Sequence, residues 1–379
     1  SVEQIIMDEA HALSHSNTKV WKSARKLVKN NPTAGIQLLT GTPILHKPKD
    51  LWGLVWLLYP ELAGEYHVWK AQYEEVVKSF KKRIPRKDRS GRIMRDPDTG
   101  EVLTREIEIP LVTRTKNLDE LRERVRPLLY RVKADGLVNF VDTVDVVTVG
   151  MTRRQRDLYN SIAENVLLKL EEGDLNIVNA LSELTRCQQV SEGCYNLPQA
   201  GFSDSGKLDY IKEQIDNSDE KIITWSRFKE NTNILGNLYK DSGVIFNGDM
   251  SQNQKTLAIW SFQGVDNAKD DAEFARLARS CKWKLGPGEA MQWFGVISGA
   301  SLGFNLHASN RQYVITPGWN GNVNEQAFSR IKRLDQEADE CFTTFMVSED
   351  SIDEAVLNMV LDNLKTCLHV LDGTGDPGY

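Results

Sequence analysis

The feature that most constrains this 379-residue chain is a rhythm of short apolar runs and helical patterns, heard twice. VEQIIM (2–7) reads as a buried strand that ends at once in Asp8-Glu9-Ala10-His11. Residues 17–30 then place Val20, Trp21, Ala24, Leu27 and Val28 at helical spacing, and Asn31-Pro32 closes the segment. GIQLL (35–39) is a second short strand, ending in Thr40-Gly41-Thr42-Pro43. Strand, acidic loop, helix, strand and polar loop specify a parallel α/β sheet, whose functional loops collect at the strand C-termini.

The rhythm resumes after Gly206. Helix 207–216, strand 221–225, helix 229–240, strand 243–247 and helix 252–262 lead to a polar, charged insertion at about 264–289. Strands 293–298 and 312–316, helix 323–332, strand 341–347 and a terminal helix 351–366 follow. Between the two stretches, Met151 to about Ala180 is helical in pattern, with Leu158, Ile162, Val166 and Leu170 four apart, and 196–206 resembles a linker. The expected fold is α/β with two parallel-sheet lobes: 1–148 first, a helical region over 149–204, and 205–379 second.

A chain of this length makes two or three domains. With 40% hydrophobic and 26% charged residues it is neither disordered nor membrane-resident by composition. Its longest apolar run, Leu51–Leu58, is far short of the roughly 18 residues that span a bilayer, so no membrane partner is expected. Trp52, Trp56 and Tyr59 are spaced for a core helix face rather than for stacking on bases. Five scattered cysteines argue for a reducing, intracellular compartment, and Cys187 and Cys194 lack the second pair that zinc requires. A net charge of −6 does not favour a general polyanion binder, yet nucleic-acid binding needs only local positive charge. KKRIPRKDRSGRIMR (81–95) holds eight basic residues and one acid, and DPDTGE (96–101) gives a turn, so 91–109 is expected to form a hairpin. Lys82, Arg83 and Arg86 are candidates to track a phosphate backbone, beside the plainer reading as a solvated loop. Because Ser1 precedes a strand so closely, further sequence is expected upstream.

Asp8-Glu9 at a strand end supplies what a magnesium–nucleotide site needs: one carboxylate for the metal and one to polarise the attacking water. Its company is LLTGTP (38–43), DLWGL (50–54), LLYP (57–60), LLYRVK (128–133), Gln155 with Tyr159, SGKL (205–208), ITWSRF (223–228), SGASLGFNL (298–306), Trp319-Asn320 and QAFSRIKRLDQ (326–336). In this order the strings resemble the Swi/Snf-type, superfamily-two DNA-translocating ATPases from the metal-carboxylate motif onward, across nearly the whole chain.

The resemblance implies two RecA-like lobes, the first truncated at its N-terminus, with helical insertions. It implies ATP and Mg2+ as cofactors, double-stranded DNA gripped through its phosphates, a DNA-bound protein as target, and a monomeric motor. Asp8 and Glu9 would hold metal and water, with His11, Thr40 and Gly303 near the nucleotide. Gln326, Arg330 and Arg333 would act from the second lobe, the two arginines three apart on one helical face and neutralising charge on the transferred phosphoryl group. Thr42, Thr224, Ser226, Arg227, Ser298, Ser301, Asn305 and Trp319 would meet nucleic acid. SGASLGFNL departs from the family form, being about two residues shorter, with Ala300-Ser301 where glycines are common.

Gly201-Phe-Ser-Asp-Ser-Gly206-Lys207-Leu208 satisfies GxxxxGK but places Leu where the magnesium-binding hydroxyl belongs. No other GxxxxGK[ST] occurs in this sequence, so the chain by itself is expected to hydrolyse ATP negligibly. A strand-separating helicase, a restriction or phage-defence motor, and a non-catalytic DNA-binding or interaction module are the alternatives. SRIKRLDQ in place of the usual RAHRIGQ points to a bacterial, phage or viral member rather than a nuclear remodeller.

Overall fold

The computed structural model describes residues 2–41, 43–44, 47–86, 93–96, 99, 101–130, 140–171, 177–193, 205–301, 303–319 and 321–372. The linker stretch 196–204, Cys194, Arg131-Val132-Lys133 and Asn320 lie outside the described residues. The chain forms two compact units, Ser1–Tyr130 with Lys365–Asp376, and Arg131–Leu364 with Pro377–Tyr379.

In the first unit β1 (Gln4–Met7) pairs parallel with β2 (Gly35–Leu38) through α1 (Lys19–Asn30). Thr18 caps α1, its Oγ1 accepting the Trp21 N–H. The strands are less buried than their composition suggests. Only Ile5 of β1 is buried, whereas Ile6 is 56% exposed, and on α1 Val20 and Leu27 are exposed too. Burial concentrates instead around α2 (Leu51–Leu58), α3 (Pro60–Ala63) and α4 (Tyr66–Tyr73). There Trp21 and Trp52 stack at 5.7 Å, and their indole N–H groups donate to Gly53 O and Gly64 O at 3.0 Å each. A Cβ at Gly53 would stand 2.6 Å from Leu13 O, so only glycine lets α2 come this close to the turn after β1. Trp52 is buried and Trp56 half-buried, but Tyr59, just past the helix end, is 60% exposed and does not belong to the core face.

The basic run differs from its expectation. The hairpin is longer and earlier than 91–109: β3 (Glu74–Pro85) pairs antiparallel with β4 (Thr104–Thr115), followed by α5 (Leu118–Val125). Three basic residues of the run, Lys81, Lys82 and Arg83, are thus strand residues rather than loop, with Lys81 in register with Glu108 and Arg83 with Glu106.

The second unit is built on one six-stranded sheet, all parallel, in the order β5 (Val141–Val149), β10 (Glu340–Ser348), β9 (Arg311–Val314), β6 (Ile222–Ser226), β8 (Gln292–Val296) and β7 (Gly243–Phe246). Residues 141–148, assigned to the first domain from sequence, are paired instead with β10 along their whole length. Every residue of β6 and β8 is buried, as expected of strands covered on both faces. Around the sheet run α6 (Arg153–Glu171), α7 (Ile177–Glu192), α8 (Gly206–Asp216), α9 (Lys229–Leu238), α10 (Gln252–Gln263), α11 (Ala268–Cys281), α12 (Gly321–Phe328) and α13 (Ile352–Asp372). The charged insertion therefore holds a helix of its own, α11, capped by Asn267 accepting from Lys269 and Asp270 N–H.

The sheet's core is aromatic: Phe246 stacks on Trp293 at 4.8 Å, and Phe304, Phe262 and Trp225 close around them. Lys207 is 1% exposed and binds Asp353 Oδ2 at 2.7 Å, with Ile315 O at 2.7 Å and Thr316 Oγ1 at 3.2 Å. The lysine of the GxxxxGK look-alike is thereby committed to the core. Gly201–Asp204 lie outside the described residues. The last turns of α13 belong to the first unit, where Val370 is buried and His369 Nε2 lies 2.9 Å from Asp119 Oδ1.

Candidate functional site

In the first unit the parallel register brings two motifs to one strand edge. Leu39 N–H donates to Met7 O and Ala10 N–H to Leu39 O, both at 2.9 Å, so Asp8-Glu9 turns beside Thr40-Gly41. Glu9 sits in the left-handed region (φ 47°) and donates its N–H to Asp8 Oδ1 at 2.8 Å. His11 Nδ1 stands 3.2 Å from Glu9 Oε2. Both carboxylates are exposed and neither meets a Lys or Arg within salt-bridge distance among the described residues. Two solvated oxygen donors with no committed cation suit a hard ion that keeps much of its water and takes further oxygens from phosphate. Thr40 is half-buried, and Thr42 lies outside the described residues.

In the second unit all strands are parallel, so β5, β6, β8, β9 and β10 end at one edge of the sheet. Their exits carry Arg227, the 297–301 turn with Gly303 and Asn305, and Trp319. Arg227 lies 5.3 Å from the Phe228 ring and 5.7 Å from that of Trp319, and its Nη1 donates to Gln188 Oε1. Burial pushes its pKa down, with Glu192 acting the other way. Ser298, Gly303 and Asn305 are exposed, and a Cβ at Gly303 would meet nothing within 4 Å, so the loop is open to a ligand. The side chain of Ser301 is outside the described set.

Two residues expected at nucleic acid do not reach a surface. Thr224 and Ser226 are each 1% exposed, because β6 is an interior strand with neighbours on both sides. Ser226 Oγ turns inward and donates to Glu192 Oε1 at 2.6 Å. Arg227, one residue beyond the strand, is the group that emerges.

The arginines also differ from expectation. α12 ends at Phe328 rather than 332, so Arg330 and Arg333 sit on successive turns and not on one helix face. Arg330 is 6% exposed, donates from Nη1 to Phe304 O at 3.2 Å and lies 5.2 Å from the Phe304 ring. Leu306 N–H in turn donates to Arg330 O at 2.9 Å, so Arg330 fastens the 303–306 loop. Arg333 is half-buried; its Nε has no hydrogen-bond partner among the described residues, and burial pushes its pKa down. A guanidinium with an unmet donor suits an anionic oxygen. Gln326 is half-buried on α12. On the hairpin Arg86 is exposed, while the side chains of Lys82 and Arg83 are outside the described set.

Sequence reasoning did not single out Gln188, Glu192 or Asp353. Glu192, at the end of α7, is wholly buried; burial pushes its carboxyl up to about 8, against the hydrogen bond from Ser226 and the charge of Lys207. Its Oε2 has no partner among the described residues. No residue spacing announces it, since its meaning depends on the sheet that encloses it.

Against known proteins, the model of the SNF2-related domain matches residues 1–197. The chicken DNA repair and recombination protein RAD54-like is 24% identical, the alignment covering 94% of this chain and 47% of that protein. The yeast ISWI chromatin-remodeling complex ATPase ISW2 is 22% identical over 98% of this chain and 30% of its own length. The chain thus spans less than half the length of these relatives. A Sulfolobus solfataricus SWI2/SNF2 ATPase core in complex with dsDNA is 20% identical, covering 94% of this chain and 66% of that one, with a TM-score of 0.45. Relatives from bird, yeast, rice and mycoplasma give no support to a bacterial or phage host in particular. No helix among the described residues is long and apolar enough to cross a membrane. With its family model matched over residues 1–197 of 379, the chain belongs to the SNF2-related domain family, the Swi/Snf-type helicase-like ATPases.

Proposed function

We propose that this chain is part of an ATP-dependent motor that moves along double-stranded DNA and displaces or remodels proteins bound there. Asp8 and Glu9 hold Mg2+ and orient water, with His11 and Thr40 beside them. Arg333, with Arg330, neutralises phosphoryl charge, and Gln326 supports the same reaction. Magnesium-bound ATP, when present, supplies the chemistry of phosphoryl transfer, in which positioning and charge neutralisation are most of catalysis. Arg227 and Trp319, with Ser298 and Asn305, face the DNA backbone, and Arg86 of the hairpin adds to that grip. The observation that carries this reading is the half-buried Arg333, whose buried Nε has no hydrogen-bond partner among the described residues.

The chain by itself hydrolyses ATP negligibly: its one GxxxxGK string lacks the hydroxyl, and Lys207 is spent on Asp353. The test is DNA-stimulated ATP turnover, compared between this polypeptide and a longer protein that carries GxxxxGK[ST]. Arg333→Ala in the longer protein should lower turnover by about 10³-fold or more and leave duplex binding intact. Unchanged turnover would sink the arginine assignment, and robust turnover by the short chain would sink the other half. Strand separation in an unwinding assay would replace translocation with a helicase reading.

A further inference from the structure

The edge of the second unit's sheet opposite β5 is β7, and among the described residues no strand pairs with its outer side. Along that edge runs a groove of about 470 Å³, between α9 and the segment after α11. That volume lies within the roughly 300–1,000 Å³ of ligand-holding clefts. Backbone groups wait there. Ser242 O accepts from Met291 N–H on the β8 side, so the alternation of a parallel ladder turns Gly243 and Ile245 outward. Gly243 N–H is taken by Tyr239 O, which leaves Gly243 C=O and both backbone groups of Ile245 on the open edge. Trp283, Leu285 and Met250 provide apolar walls.

The charge of the groove is opposite to that of the chain. Lys240, Lys282 and Lys284 line it, all exposed and with no ion pair among the described residues. Its single acid, Asp249, is engaged by Lys229 at 3.0 Å. A chain of net charge −6 thus presents a lysine-ringed strand edge.

We propose that this edge is a docking site for an extended acidic peptide of a partner protein, which adds to β7 as a further strand. Strand addition draws affinity from main-chain hydrogen bonds and specificity from side-chain positions, and here the lysines select acidic side chains. A nucleic-acid strand would answer the lysines but not the outward N–H and C=O groups, so peptide is the favoured occupant. This inference stands apart from the nucleotide and DNA reading.

The test measures fluorescence anisotropy of the full chain with a labelled peptide alternating Glu and Val, about eight residues long, enough for a strand of usual length. Binding should be lost when alternate peptide nitrogens are methylated, because charge is kept and the ladder is not. Lys282→Glu with Lys284→Glu should weaken binding about tenfold or more. Hydrogen exchange at the Ile245 amide should slow when peptide is bound, a readout that needs no variant to fold. Equal binding of the methylated peptide, unaltered exchange at Ile245, or displacement of the peptide by single-stranded DNA at matched charge would overturn the proposal. So would sedimentation showing that a second copy of the chain already covers this edge.

Discussion

Glu192→Gln should stabilise the protein increasingly as pH rises from about 5 to 9. In the fold the Glu192 carboxyl is pushed up to about 8 from an ordinary 4.5, burial being the largest cause. The folded state therefore holds a proton that the unfolded chain releases. That contribution to stability is fully present below pH 4.5, declines as pH rises, and is gone above pH 8. At roughly 1.4 kcal/mol per pH unit, the window is worth about 5 kcal/mol, net of the lowering by Ser226 and Lys207. Glutamine keeps the shape and can accept the Ser226 hydroxyl without ionising, so the variant's stability should be flat where the parent's slopes. Urea unfolding at several pH values, with the m-value held constant, reads the difference directly. The gap between variant and parent should widen by several kcal/mol between pH 5 and 9. A constant gap would mean that the carboxyl is ionised in the fold, and the account of a buried neutral acid would fail.

Lys207→Met should cost about 3–5 kcal/mol in the same assay, since it strands Asp353 without its partner in a dry site; adding Asp353→Asn should restore part of it. Gly206→Ala should destabilise by about 1–3 kcal/mol, because the new Cβ would stand 1.9 Å from Gly150 O, a backbone atom that cannot step aside cheaply. Arg227→Ala should weaken duplex binding about equally on all sequences and reduce its salt dependence, as for a phosphate contact, measured by titration at several salt concentrations. A loss confined to one sequence would point to base reading instead.

The alternation of strands and helices was legible because β6, β8 and β9 are interior strands whose cores are large apolar or aromatic residues, Ile222, Ile223 and Trp225, Trp293, Phe294 and Val296, and Tyr313 and Val314. β5 was not: VDTVDVVTV lies at the sheet's edge, where polar residues face water, and its period is blurred by burial on one side only. β3 was hidden for another reason, because lysines and arginines along KSFKKRIP suggest solvent more strongly than Phe80 and Ile84 suggest a strand. The helical spacing of Arg330 and Arg333 was real in sequence, but the Arg330–Phe304 and Leu306–Arg330 hydrogen bonds pull the chain off the axis after Phe328. In ITWSRF, spacing marks the strand end to within a residue or two and cannot say that Thr224 and Ser226 stay inside while Arg227 leaves. Glu192 and Asp353 carry no local signal at all, since each is defined by partners far along the chain.

That separation has a bearing on how the second unit is made. Lys207 waits for Asp353, 146 positions later, and β5 waits for β10. Until residues 340–353 have left the ribosome, a nascent chain holds an ammonium with no counterion and a strand, β5, with no neighbour to pair with. Such long-range closure is slow to form and exposed to misassembly. This half of the molecule therefore has reason to shelter on a chaperone through most of its synthesis, and a stop just short of Asp353 should yield aggregates rather than a smaller folded domain.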